Sequence, residues 1–345
     1  MSLHSEIHEQ PDCLVRLLQR SRIATEEIAE AVAAEDIRFV FIAARGTSDN
    51  AARYANYVWG AINGLPVALA APSLFTYYNH PPRLRGSLVV GISQSGRSPD
   101  IVSVITEGKQ QGCLTLAITN DAGSPLAKAA DFVLNIEAGP ENAVAATKTY
   151  TAQLMGVAML AAAMKRDGAL WEELLRVPDR IQASLGAESE IANIAPRFRG
   201  TSKSIVLSRG FNYATACEWA LKLKELASME AEPYSSADFV HGPIAMVDGR
   251  FPIFAVVAKG AVAPQSIQVL KTVKEERSAE ILMISNMNEA LSMADISLPL
   301  PSEIPEWLTP LVAIVPAQLF CHHLAVAKNL DTESPRGIKK ITETR

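Results

Sequence analysis

Apolar residues fall along this chain in short runs separated by longer stretches of helical spacing. After a helical lead at about residues 12–34, "IRFVFIAARGTS" reads as a strand and "DNAARYANYVWGAING" as a helix. "LPVALAA", "SLVVGIS", "LTLAITN" and "ADFVLNIEAG" follow as further strands, with "SPDIVSVITEGKQQG" as a helix among them. "TKTYTAQLMGVAMLAAAMKR" is apolar on nearly every side, which predicts a long helix buried all round. Past a polar helical stretch the alternation restarts with "KSIVLSRG", the helix "NYATACEWALKLKELASME", the strand "FPIFAVVAKG" and the helix "PQSIQVLKTVKEERS". It continues through "EILMISN" and "DISLPLP" and closes on the helix "PEWLTPLVAIVPAQLFCHHLAVAKNL". Strands alternating with helices predict parallel sheets covered on both faces.

The two series rhyme. "FIAARGTSDNAARYANYVWGAI" and "IVLSRGFNYATACEWALKLKEL" are each strand, Arg-Gly, then helix, and "LAITN" is echoed by "LMISN". The expected architecture is α/β, two tandem three-layer α/β/α sandwiches: a helical lead over 1–35, a first domain over 36–165, a helical connector over 166–196, a second domain over 197–330 and a tail over 331–345. The copies differ at one loop, where "GISQSGRSP" in the first stands against "VVAKGAVAP" in the second.

That loop is the first chemical signal. Strand ends in parallel sheets lead into helix N-termini, which offer free N–H groups and a positive dipole end to an anion. Ser93, Gln94, Ser95 and Ser98 add side-chain donors, Gly96 permits close approach, and Pro99 suits a first helical turn after a Ser98 cap. Gly46, Thr47 and Ser48 form a second such cluster at the end of the preceding strand–helix unit. Neither GxxxxGK[ST] nor a strand-linked GxGxxG is present, so a small phosphorylated metabolite fits better than a nucleotide.

Composition narrows the field further. A net charge of −5 without basic blocks argues against nucleic acid or an anionic membrane as partner. Four cysteines, Cys13, Cys113, Cys217 and Cys321, show no metal or disulfide spacing, and the N-terminus lacks an apolar signal core. Lys, Gln or Pro break the apolar runs before a membrane span is reached. The expectation is a cytoplasmic protein with no metal or redox cofactor.

Five motifs in this order, "GTS", "ISQSG-S-D", "AGPE--VA-TK--T-QL", "E-ALKLKE" with "HGP", and Pro335-Arg336 with Ile338-Lys339-Lys340 near the end, resemble the double sugar isomerase (SIS) domain of the glucosamine-6-phosphate synthase family over nearly the whole chain. The resemblance implies two flavodoxin-like SIS domains and a sugar-phosphate substrate. It also implies a chain that does not itself hydrolyse glutamine, because the glutaminase nucleophile of that family has no counterpart here and Ser occupies position 2. A separate glutaminase subunit is then a possible partner.

Aldose–ketose interconversion needs ring opening and proton transfer between C1 and C2, with the phosphate anchored at the far end. Glu218, Lys222 and Glu225, in steps of four and three, share one side of a helix, a pattern that on its own reads first as a surface ion-pair stripe. The resemblance implies that Glu225 is the proton carrier, supported by Lys222 and Glu218. It further implies that His241 opens the ring and is contributed across the interface of a homodimer. Lys340 falls on the Schiff-base lysine beside Lys339, and Val144, Ala145, Ala146 and Thr147 wall the sugar side. Two positions depart from the family, with Ala146 in place of a serine and Arg97 in place of a glutamate. His322 and His323 take a structural role. The implied reaction is glucosamine 6-phosphate plus water to fructose 6-phosphate plus ammonia. Amination with ammonia, simple ketose–aldose isomerisation, fructosamine 6-phosphate deglycation and a non-catalytic sugar-phosphate sensor are the alternatives.

Overall fold

The structure is a computed structural model that describes residues 2–340; position 1 and the end of the tail, residues 341–345, lie outside the described residues. The chain divides into two compact units. The first unit comprises residues 9–141, 146–178 and 339–340, and the second comprises residues 2–8, 142–145 and 179–338.

In the first unit, β1 (Phe39–Ala43), β2 (Val67–Leu69), β3 (Ser87–Ile92), β4 (Leu114–Thr119) and β5 (Phe132–Asn135) form one five-stranded parallel sheet in the order β2-β1-β3-β4-β5. Phe41 pairs with Val89 and Val89 with Thr115, a register that keeps every residue of β3 buried. A central strand covered on both faces needs such an unbroken apolar run, and each fully buried Val or Ile contributes roughly 1.5–3 kcal/mol. The expected all-apolar helix runs Lys148–Lys165, and every residue from Lys148 to Ala162 is buried. It packs on the helix Thr47–Asn63, where the Trp59 indole donates to the Val157 carbonyl at 3.1 Å.

The second unit repeats this plan with β6 (Lys203–Ser208), β7 (Glu230–Ser235), β8 (Pro252–Val257), β9 (Glu280–Ser285) and β10 (Ile296–Pro299), in the order β10-β9-β8-β6-β7. Counted from its own first strand the order is 2-1-3-4-5 in both units, the flavodoxin-like arrangement. β7 departs from expectation: "EAEPYS" carries charge and a proline where an apolar run was required, so the sequence pattern shows no strand there and carries the preceding helix to Glu230. As an edge strand it needs only one partner, and it pairs with β6 from Lys203↔Glu230 to Ser208↔Ser235.

The core of this unit is aromatic. Trp219 stacks on Phe254 with ring centroids 5.2 Å apart, and Phe320 and Phe198 meet Phe254 edge-on. Phe320 belongs to the helix Thr309–Ala327. Contrary to the expectation that no apolar run reaches membrane length, Glu306–Ala327 is long and apolar enough by composition, with mean hydropathy 1.5, but 78% of that window is buried inside the protein. Its hydrophobicity serves a core helix.

Candidate active site

An open sheet in this order sends the chain in opposite directions from the C-terminal ends of its first and third strands, and ligands settle in the crevice between those strand ends. In the first unit these ends carry Arg45–Ser48, after β1, and Ser93–Ser98, after β3. Gly46 turns the first loop at φ +54°, and the helix Thr47–Asn63 starts directly behind it. Ser48 is buried, and its hydroxyl accepts from the Gln153 amide at 3.0 Å. In the second loop the Gly96 N–H donates to Ser93 Oγ at 3.1 Å and the Arg97 N–H to Ser95 Oγ at 3.4 Å. The Gln94 and Gly96 carbonyls accept from Asn120 N–H at 3.1 Å and Leu126 N–H at 3.0 Å, which fixes the loop to the chain that follows β4. Gly96 sits at φ +62°, and a Cβ there would lie 2.1 Å from Ser124 Oγ, so no other residue fits. Ser98 occupies the N-cap position of the helix Pro99–Gln110, yet its side chain makes no capping bond. The expected cap is thus one of position only, and its hydroxyl remains available to a ligand.

The first unit contains a second polar cluster. Glu141 is buried; one carboxylate oxygen accepts from the Thr147 and Thr149 N–H groups at 2.9 and 3.1 Å. The other accepts from Thr149 Oγ1 at 2.8 Å and from Lys340 Nζ at 2.7 Å. Lys339, its neighbour, is exposed.

In the second unit the helix Tyr213–Ala227 carries the ion-pair constellation in its last three turns. Lys222 is 1% exposed and lies between Glu218, 3.3 Å away and fully buried, and Glu225, which it contacts directly and whose side chain is 23% exposed. Burial pulls the Lys222 ammonium down, but the two carboxylates more than reverse this, so its pKa stands above the ordinary lysine value. Nearby, burial pushes the Cys321 thiol well up, and it stays protonated. His241 is exposed on the turn after the short helix Ser236–Phe239, where its N–H donates to the Asp238 carbonyl at 3.1 Å.

The SIS domain family matches residues 35–163 and 198–328. The chain belongs to this family. It is 33% identical over 351 residues to a glutamine–fructose-6-phosphate aminotransferase [isomerizing] from Gloeobacter violaceus, covering 97% of this chain and 57% of that relative. The chain therefore spans little more than half the length of the curated relatives it matches. Among solved structures, the C-terminal domain of glucosamine-fructose-6-phosphate aminotransferase from Francisella tularensis superposes with a TM-score of 0.86 at 28% identity, covering 96% of this chain and 98% of that one. Glucosamine-6-phosphate deaminase from Thermotoga maritima superposes with a TM-score of 0.80 over 100% of both chains, at an identity of 20% that speaks to the fold alone.

Within this SIS chain the structure gathers Gly46, Thr47, Ser48, Ser93, Gln94, Ser95 and Ser98 at one sheet edge, and Glu218, Lys222 and Glu225 on one helix. Val144 and Ala145 belong to the second unit and Ala146 to the first. The Val144 N–H is engaged, donating to the Glu333 carbonyl at 3.3 Å.

Three residues carry no signal that sequence alone reveals: Arg45, Asp100 and Glu141. Arg45 Nε donates at 2.8 Å to Asp100, a fully buried carboxylate in the first turn of Pro99–Gln110, and so ties the β1 and β3 loops together. Without that guanidinium, a buried negative charge would oppose any anion at the same helix start. Arg45 precedes GTS and Asp100 stands at the helix start, far apart in sequence. Glu141 was quoted only as part of a motif; its spacing to Thr147 and Thr149 gives no periodic clue.

Proposed function

We propose that this chain is a phosphosugar isomerase acting on an amino sugar phosphate, converting glucosamine 6-phosphate and water to fructose 6-phosphate and ammonia without a metal or redox cofactor. The observation that carries the reading is the Lys222 clamp: a fully buried ammonium holds two carboxylates, and of these only Glu225 reaches solvent. A general base needs access to substrate together with a fixed position, and Glu225 has both. Similarity to aminotransferases over 97% of the chain supports a C2 amine as the reacting group.

In this mechanism the donors of Ser93, Gln94, Ser95, Ser98, Thr47 and Ser48 hold the phosphate, and His241 opens the ring, supplied by the partner subunit of a homodimer. Glu225 takes the C2 proton of the open aldehyde to give an enolamine and returns a proton to C1. Lys340, oriented by Glu141, attacks the resulting C2 imine and displaces ammonia, and one water then hydrolyses the Lys340 imine to free the ketose. Lys340, which bonds the buried Glu141, suits this role better than the exposed Lys339.

A second reading is favoured by the sequence matches themselves, since the relatives that share about a third of their residues with this chain are aminotransferases. In it the same groups run the amination direction, with ammonia delivered by a glutaminase partner. Purified protein given glucosamine 6-phosphate should release ammonia and fructose 6-phosphate in equal amounts. Formation of glucosamine 6-phosphate only when fructose 6-phosphate and ammonia are supplied, with none released in reverse, supports the second reading. Neither product in either direction contradicts both. For the shared site, mixing inactive Glu225→Gln protein with inactive His241→Ala protein should restore part of the activity; no recovery after subunit exchange contradicts a His241 given by the partner.

A further inference from the structure

Four of the chain's six histidines gather in the second unit around one carboxylate, away from every group used above. His4 and His8 stand one turn apart on the helix Leu3–His8, so their rings share a side. His322 and His323 lie near the end of the helix Thr309–Ala327, and Glu188 begins the helix Glu188–Ile194. His4 Nε2 and His323 Nε2 are 2.6 and 3.0 Å from one oxygen of Glu188, and His8 Nε2 is 2.8 Å from the other. The ring centroids of His4 and His8 are 4.7 Å apart, and His322 lies 5.1 Å from both His4 and His323.

A plain hydrogen-bond cluster that docks the N-terminal helix is the simpler account, but two observations go beyond it. Docking is already served elsewhere: the Leu3 N–H donates to the Glu333 carboxylate at 3.0 Å, and the buried Glu6 carboxylate accepts from Ala143 N–H at 3.3 Å. Further, His322 Nδ1 is buried with no hydrogen-bond partner among the described residues, an unsatisfied nitrogen beside three imidazoles that already converge on one anion. Protonating two or more of these four packed imidazoles sets like charges against one another, whereas a bound cation takes the rings as neutral ligands and displaces those protons.

We propose that His4, His8, His323 and Glu188 form a binding site for a divalent transition-metal ion of the zinc class, which clamps the N-terminal helix onto the C-terminal helix of the second unit. Imidazole nitrogens with a single carboxylate suit zinc, nickel or cobalt and do not suit magnesium or calcium, which require oxygen ligands. One ring nitrogen each of His4 and His8 and a Glu188 oxygen lie within 4.8 Å of one another, so small side-chain rotations bring them to the bonds of about 2.0–2.2 Å that one shared ion needs. The protons now shared between imidazole and carboxylate are what the ion replaces. Each neutral ring passes its hydrogen to Nδ1, any protonated ring loses one proton to solvent, and Glu188 withdraws by a side-chain rotation. Side-chain exposures of 42% for His4 and 37% for His8 leave the ion a path from water.

The test uses untagged full-length protein, stripped with EDTA and dialysed, titrated with ZnCl2 in a calorimeter and separately with CoCl2 in a spectrophotometer. One ion per chain is expected, with micromolar or tighter affinity and the visible absorption of four- or five-coordinate cobalt. Glu188→Gln should weaken zinc binding at least tenfold. The paired change His4→Gln with His8→Gln should weaken it at least a hundredfold and abolish the cobalt spectrum, while the exposed His80→Gln should change nothing. The two glutamine variants place polar, partly exposed groups on a short helix, and circular dichroism verifies that they fold. No binding to the parent protein, or equal binding by the paired variant, overturns the proposal. Either result leaves the isomerase reading untouched, because none of these residues is assigned to it.

Discussion

The loop after β3 in the first unit and the loop after β8 in the second occupy the same place in two copies of one fold, and they have been filled differently. In the first, the Ser98 side chain makes no capping bond, and Arg45 neutralises the carboxylate at the helix start. In the second the chain supplies its own anion: Glu306 accepts from the Ala261 N–H at 3.0 Å, and its carboxyl group lies where a Cβ on Gly260 would stand, 1.9 Å away. About 10 Å³ remains beside it, at the lower limit for one water. The second cradle is closed from within. Its unit instead bears the Lys222 clamp at the C-terminal end of Tyr213–Ala227, on the sheet edge opposite the strand C-termini.

This contrast is most severely tested at Glu225. Replacing Glu225 by Gln keeps the shape and removes the base, so kcat should fall by about 10²–10⁴ while KM changes little; steady-state ammonia release measures both, and a variant that keeps most of its kcat breaks the assignment. On the binding side, Gly96→Ala forces a methyl into Ser124, and sugar-phosphate affinity should be lost altogether in a calorimetric titration. The gentler Ser98→Ala removes one charge-assisted hydrogen bond of about 1.5–3 kcal/mol, which raises KM roughly 10- to 150-fold at nearly constant kcat. A smaller effect belongs to the closed cradle, where Glu306→Ala should lower thermal stability by about 1–2 kcal/mol without altering KM, as scanning calorimetry and kinetics together would show.

The smallest effect concerns alkaline pH. Lys222 has a folded-state pKa above its ordinary value, so it binds more protons folded than unfolded as pH rises past about 10.4. Its stabilising contribution is complete below that pH and declines above it. Melting temperatures measured from pH 9 to 11 should therefore fall less steeply in Lys222→Met than in the parent protein; identical slopes would mean that the clamp is not linked to folding.

Much of this was legible in residue order. The strands of the first sheet show as apolar runs because both faces are covered, and the Lys148–Lys165 helix shows as a run with no polar side. The turn at Gly96 was legible too, because a glycine among polar residues directly after an apolar strand marks a tight loop, and Gly96 sits at φ +62°. β7 was hidden because an edge strand tolerates Glu230, Glu232 and Pro233, which no apolar pattern predicts. Arg45 with Asp100, Glu141 with Lys340 and the histidines around Glu188 were hidden for a different reason. Each joins residues 55 to 199 positions apart, and only the folded chain brings such partners together.

The central claim is that phosphate binding by the first copy and proton transfer by Glu225 of the second are separate tasks, and kinetics on the two sides of that division test it most directly. Ammonia release from glucosamine 6-phosphate should show Ser98→Ala as a KM defect and Glu225→Gln as a kcat defect, with the double variant showing both losses in full. A kcat loss from Ser98→Ala as large as that from Glu225→Gln, or a Glu225→Gln protein whose only fault is weak binding, would contradict it.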